Sequence, residues 1–344
     1  MSGPATDDTV RALDLDALRA YIGARAEVRG GLTATRLAGG KSNLTFRVAD
    51  EAGTAWVVRR PPLAGLTPSA HDMTREYRVT CGLAGSGVPV APAVGLCEDE
   101  SVIGAPFTVM GFVEGDVVRT ADELAALPDA DIAVCTDEMM RVLAALHAVD
   151  YESAGLGDFG RPDGYLERQA KRWLRQWEYV ATGDLRDVEV LGNRLLERIP
   201  ASPAPSIVHG DYRIDNVMLA PRDSGRIVAV VDWELSTLGD PISDVAMMCA
   251  YRHAALDSVL GFPAAWTQPR IPQPQDLAER YALATGADLP HWDFYMGLAY
   301  FKIGVIAAGI AHRTRAGAAA GEDHAAAAVP EYISLGLAAL AGNG

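Results

Sequence analysis

The sequence predicts an α+β protein in two lobes, a sheet-rich N-terminal lobe over residues 1–113 and a mainly helical C-terminal lobe over 114–344. Three observations predict it. The first third alternates short apolar runs with Gly- and acid-rich turns, a meander pattern. Beyond Gly115 apolar residues recur at helical spacing instead. The length of 344 residues exceeds what one hydrophobic core usually serves.

In chain order, residues 11–27 read as a short amphipathic helix. Strand-like runs follow at Leu32 to Leu37, Leu44 to Val48 and Ala55 to Arg59. Gly39-Gly40 separates the first two, and Asp50-Glu51-Ala52-Gly53 the second pair. Ser69 to Leu83 carries Met73, Tyr77 and Leu83 among charges and reads as a helix. Val94 to Cys97 and Phe107 to Val113 are further strands. In the second lobe, Ile132, Cys135, Met139, Val142, Leu143 and Leu146 mark a helix ending near His147, and Leu166, Ala170, Trp173 and Trp177 mark another. Strand-like Ile207-Val208, Val217 to Leu219 and Ile227 to Val231 interrupt this region. Helical signals return at Ile242 to Tyr251, Leu277 to Leu283, Trp292 to His312 and the alanine-rich tail. Pro263 to Pro274 reads as an irregular loop.

A formal net charge of -15 argues against a nucleic-acid binder, which needs a basic face. It permits a cationic substrate, although solubility alone accounts for such a charge. The N-terminus has no apolar run of the secretory kind. Phe294 to Ala311 is the most apolar stretch, but Lys302 and several glycines interrupt it, so it reads as a buried helix and not a membrane span. Cys81, Cys97, Cys135 and Cys249 form no CxxC pair and read as reduced core residues of a cytoplasmic protein. Oligomeric state is not legible in the sequence.

The segment SIVHGDYRIDNVML, residues 206–219, places Asp211 and Asn216 in a short loop between two strand-like runs. The strand Ile227 to Val231 then delivers Asp232 at its end. Loop, short hairpin and strand-plus-aspartate would gather three oxygen-bearing side chains. Oxygen ligands suit Mg²⁺, which takes one or two carboxylates plus substrate phosphates. His209 to Asn216 fits the H-x-D-x-x-x-x-N spacing of the protein-kinase catalytic loop position by position. Upstream, Gly39, Gly40, Lys41, Ser42 and Asn43 lie between two strands, where glycines let backbone N–H groups approach phosphates; a plain hairpin turn is the alternative.

HGDYRIDNVML followed by VVDWELSTLGDPISDVA resembles the aminoglycoside phosphotransferase and choline kinase family of small-molecule kinases, which have a protein-kinase-like fold. WVVRRPP, REY, LGDPISDVA and IAAGIAHR resemble more closely the kinase-like domains found beside acyl-CoA dehydrogenase domains and their free-standing bacterial relatives. The resemblance covers about Leu32 to His312. It implies Asp211 as the group that orients the acceptor hydroxyl or accepts its proton, and Asn216 and Asp232 as Mg²⁺ ligands. It makes His209 a scaffold residue, and Asp240 and Asp244 structural residues that cap the next helix or fix the loop. Arg59 stands where kinases usually carry a phosphate-facing lysine, and Glu76 would pair with it. Arg60 competes with Arg59 for that role, since strand alternation turns only one inward. With Met110 at the gatekeeper position, the Gly111 carbonyl and Val113 N–H would meet adenine. ATP and Mg²⁺ would lie between the lobes, and the acceptor would be a small-molecule hydroxyl compound. The subgroup favours a hydroxyacyl compound such as a hydroxyacyl-CoA; an aminoglycoside is the alternative acceptor. A nucleotide-binding pseudokinase and a metal-dependent hydrolase are the competing classes.

Other residues take plainer readings. His147 reads as packing or capping, and Trp173 and Trp177 as core. Asp215 and Glu234 carry no assigned role. His312 and Arg313 read as a cationic helix end favoured by the helix dipole, with an anionic substrate as the alternative.

Overall fold

The computed structural model describes residues 13–37, 43–61, 73–180, 186–221, 223–317 and 324–342. The chain forms two compact units. One comprises Met1–Gly85, Pro89–Glu114 and Asp232–Glu234; the other comprises Ser86–Val88, Gly115–Val231 and Leu235–Gly344.

Among the described residues, the first unit is a five-stranded antiparallel sheet with two helices. Helix α1 (Leu15–Gly23) starts at Asp14, whose Oδ1 accepts the Ala17 amide at 2.9 Å. That cap makes the helix shorter than the apolar pattern implied. The strands are β1 (Leu32–Arg36), β2 (Leu44–Asp50), β3 (Ala55–Arg60), β4 (Ala93–Cys97) and β5 (Phe107–Gly111), in the order β1-β2-β3-β5-β4. Period-two alternation sends Phe46, Val48, Trp56, Val58, Phe107 and Val109 into one core, which Leu18 and Ile22 of α1 complete. Helix α2 (Met73–Leu83) packs against β4 and β5. Strand β5 stops at Gly111, two residues short of the predicted end, although the Phe112 amide still donates to the Ala55 carbonyl at 3.0 Å. Val113 therefore lies past the ladder.

The second unit is mainly helical. Its helices are α3 (Ala121–Ala125), α4 (Asp129–His147), α5 (Tyr165–Val180), α6 (Arg186–Glu197), α7 (Pro241–Ala250), α8 (Leu256–Leu260), α9 (Pro274–Thr285), α10 (Trp292–Arg315) and α11 (Ala328–Ala341). Two small antiparallel pairs sit among them, β6 (Ser206–Val208) with β9 (Thr237–Gly239), and β7 (Val217–Ala220) with β8 (Asp223–Val230). Helix α10 is long and apolar enough to cross a membrane, but most of it is buried in this unit, against α5, α7 and α11. The irregular stretch before α9 is tied down by one side chain. The buried Arg252 guanidinium donates to the carbonyls of Pro272 at 2.9 Å, Ile271 at 2.8 Å, Gln268 at 3.1 Å and Trp266. Cys97, Cys135 and Cys249 are buried, but Cys81 faces solvent from α2, a correction to the expectation of four core thiols.

Candidate active site

In the second unit, buried Ile207 and Val208 carry β6 into His209. His209 Nε2 lies 3.0 Å from the Val231 carbonyl, which can only accept, so Nε2 bears the proton. Nδ1 is then left to accept the Asp211 amide at 3.3 Å. The buried Asp244 carboxylate reaches the same turn from α7, accepting the His209 amide at 2.6 Å and the Gly210 amide at 2.7 Å. Behind it, His147 Nε2 lies 3.3 Å from Asp244 Oδ2, and His147 Nδ1 lies 2.7 Å from the Tyr281 hydroxyl. Burial raises the Asp244 carboxyl, but the hydrogen bond and charge of His147 and the hydrogen bond of the His209 amide hold it below its ordinary value. His147 thus packs against the anchor of the loop. Asp240 caps α7, accepting the Ile242 amide at 2.9 Å, with Pro241 in the first turn and the Tyr295 hydroxyl donating at 2.7 Å.

Gly210 sits at φ 84°, where L side chains are strained, and a Cβ there would meet the Leu235 carbonyl oxygen at 3.0 Å. Next to it, Asp211 and Asn216 are in direct contact. Asn216 Nδ2 donates to the Asp211 carbonyl at 2.8 Å and to its Oδ2 at 3.1 Å. Arg213 also faces the carboxylate, with Nη2 at 3.4 Å and Nε at 3.3 Å, while Nη2 lies 3.1 Å from Asp215. Burial raises the Asp215 carboxyl, against the pull of Arg213. The Tyr251 ring lies under the Arg213 guanidinium, 4.9 Å away. The sequence assigned no role to Arg213 or Tyr251. An arginine two residues past the loop aspartate was the available signal.

The Asn216 amide turns its nitrogen to Asp211, which leaves Oδ1 as the atom able to ligate a cation. The Asn216 carbonyl accepts the Val231 amide at 2.9 Å, and Asp232 is the next residue in the chain. Among the described residues no three His, Cys, Asp or Glu converge as a cage. One amide oxygen and one carboxylate, completed by phosphate oxygens, are nevertheless the hard donors Mg²⁺ takes.

Asp232 belongs to the first unit and is a non-glycine residue at φ 66°. In that unit Arg59 Nη1 pairs with Glu76 Oε1, both side chains largely buried. Burial raises the Glu76 carboxyl; Arg59 lowers it and Asp232 raises it further. Alternation along β3 separates the two arginines. Arg60 turns into the core, where Nη1 donates to the Ile103 carbonyl at 2.8 Å, and Arg59 lies on the other face with Glu76. Asn43 is buried, and its Oδ1 has no hydrogen-bond partner among the described residues. Gly39, Gly40 and Ser42 lie outside the described residues. Gly111 and Val113 are half-buried.

Trp177 is buried as expected, but Trp173 is not core: Lys302 Nζ stands over its ring at 5.9 Å, and its Nε1 donates to Gln169 at 3.2 Å. Glu234 is exposed. At the end of α10, His312 packs against the Tyr179 ring at 5.7 Å and Arg313 is exposed.

The sequence model of the phosphotransferase enzyme family matches residues 33–298. Mouse acyl-CoA dehydrogenase family member 10 is 35% identical over 286 residues, 81% of this chain and 26% of that protein. Mouse acyl-CoA dehydrogenase family member 11 is 32% identical over 338 residues, 94% of this chain and 43% of that protein. The chain thus spans less than half the length of these curated relatives. A solved structure from Ralstonia eutropha, named only provisionally as an aminoglycoside phosphotransferase, is 35% identical with a TM-score of 0.82, covering 96% of this chain and 98% of that one.

Proposed function

The chain belongs to the phosphotransferase enzyme family, and on that premise we propose that it transfers the γ-phosphoryl group of ATP to a hydroxyl of a small molecule. Residues 1–113 serve nucleotide binding and 114–344 carry the catalytic loop and acceptor site. The observation that supports this most is the loop itself. Asp211 is hydrogen-bonded to Asn216, and its backbone is tied to a histidine whose own amide rests on a buried aspartate. That architecture fixes a carboxylate in space, and positioning contributes most of the catalysis in a loose phosphoryl-transfer transition state.

The acceptor oxygen forms a bond to the γ-phosphorus as the bond to the β,γ-bridging oxygen breaks and ADP leaves. Asp211 orients the acceptor hydroxyl and takes its proton. Arg59, held by Glu76, binds phosphate oxygens as a permanently charged fork. Asn216 and Asp232 are the residues that would hold Mg²⁺, which neutralises charge on the phosphates. Gly39, Gly40, Ser42 and Asn43 cover phosphates, and the Gly111 carbonyl and Val113 amide meet adenine. A cytoplasmic location fits the well-separated cysteines.

The favoured acceptor is a hydroxyacyl compound such as a hydroxyacyl-CoA, because phosphorylation turns a hydroxyl into a better leaving group and the curated relatives are named for acyl-CoA chemistry. A second reading, an aminoglycoside acceptor, is favoured by the name of the Ralstonia eutropha protein and by a net charge of -15. Turnover of 4-hydroxyacyl-CoA against kanamycin separates them: the first reading predicts selective hydroxyacyl turnover, and selective kanamycin turnover rejects it. A pseudokinase reading would leave one catalytic role empty, whereas Asp211, Asn216 and Asp232 fill all three.

A further inference from the structure

The Gly210–Asp211 peptide group is gripped at both ends. Its amide hydrogen is accepted by His209 Nδ1 at 3.3 Å, and its carbonyl oxygen accepts from Lys302 Nζ at 3.1 Å. His209 and Asp244 belong to the recognisable motif. Lys302 does not: it comes from the middle of apolar helix α10, 92 positions later, and is one of three lysines in the chain. Fourteen of that helix's residues are buried and apolar or glycine, so a lysine among them has a specific task. Its Nζ lies over the Trp173 ring at 5.9 Å.

We propose that Lys302 is a positioning residue for the phosphoryl-transfer reaction: its ammonium locks the plane of the Gly210–Asp211 peptide and thereby the direction in which the Asp211 carboxylate projects. Glycine at 210 makes this lock necessary. With φ at 84° and no Cβ, Gly210 has the widest rotational freedom in the loop, and its N–H and C=O are the handles by which neighbouring side chains can hold it. Asp244 takes the first handle and Lys302 the second. A charged donor on a carbonyl is stronger than a neutral one. Burial, with the nearby Arg172 charge, holds the lysine below its ordinary value, against the pull of the Asp211 and Asp244 carboxylates. The role rests on the kinase reading for its catalytic consequence, but the lock itself does not.

The test uses the full chain with Lys302→Met, which keeps the stem and removes the charge, and Lys302→Arg, which restores a cation. Hydrogen–deuterium exchange over residues 207–216 is measured beside steady-state turnover. Lys302→Met is expected to exchange about tenfold faster at 210 and 211, with the remainder of the chain unchanged. Its kcat should fall roughly 10–100-fold while KM for ATP stays near wild type, because misplacement of a reacting group acts on the chemical step. Lys302→Arg should recover protection and most of kcat. Unchanged exchange at 210 and 211 in Lys302→Met overturns the proposal. So does a Lys302→Arg protein as unprotected there as Lys302→Met. If the wild-type chain phosphorylates no acceptor, the kinase reading fails, and the exchange arms still decide whether Lys302 holds the peptide.

Discussion

The Asp244 carboxylate accepts the Gly210 backbone amide at 2.7 Å from 34 positions further along the chain, and with its other oxygen takes the His209 amide at 2.6 Å. One buried side chain therefore satisfies two consecutive backbone donors that no strand partner reaches. An asparagine of the same shape can accept one of these and must turn an N–H against the other. Asp244→Asn should cost about 3–5 kcal/mol of stability, read from urea denaturation. The effect has a pH signature. A carboxyl whose folded value lies below its ordinary 3.8 contributes its stabilisation above that value and loses it as pH falls through the folded one. The gap between wild type and Asp244→Asn should be full at neutral pH and narrow below about pH 4.

Gly210→Ala should fold poorly around the loop. The left-handed backbone costs about 1–2 kcal/mol for an L residue. The new methyl would also press on the Leu235 carbonyl oxygen and Cβ, at 3.0 and 3.1 Å. A denaturation midpoint lowered by that order, with turnover lost, is the expected result.

Arg59 and Glu76 make a largely buried pair on the face of β3 away from the core. Arg59→Ala leaves a buried carboxylate without its cation and should cost about 2 kcal/mol while raising KM for ATP. Arg59→Lys keeps the charge but loses the planar fork, so it should recover stability before it recovers ATP affinity. Calorimetric titration with ATP and thermal denaturation of the two variants check both halves.

The four thiols should sort by exposure. Cys81 faces solvent; burial pushes Cys135 up to about 12 and Cys249 higher still. Iodoacetamide at pH 8 should alkylate Cys81 in the native protein, and Cys135 and Cys249 only after denaturation, as read by peptide mass spectrometry.

Much of this was legible in the chain because two periodicities are. The alternation of Phe46, Val48, Trp56 and Val58 marked the sheet, and the 3.6-residue recurrence from Ile132 to Leu146 marked α4. Helix α6 carries an equally readable stripe, Val188, Leu191 and Leu195. Strand β9 could not be read: three residues contain no period, and their pairing with β6 is tertiary. The loop spacing exposed Asp211 and Asn216 directly. Lys302 showed only as a charge in an apolar helix, which states that a partner exists without naming it. The choice between Arg59 and Arg60 needed the core side of β3, which alternation leaves open until the sheet is closed by α1. Trp173 was misread because its helical spacing with Trp177 is the same for a core residue and for one that shelters a lysine.

The most direct measurement is ADP production from Mg²⁺-ATP by the wild-type chain and by Asp211→Asn, across hydroxyacyl-CoAs, free hydroxy acids, choline, aminoglycosides and macrolides. The account predicts turnover that requires one acceptor class and falls roughly 10²–10⁴-fold in Asp211→Asn, with ATP binding retained. Turnover that persists in Asp211→Asn, or phosphate release that needs no acceptor, would contradict it.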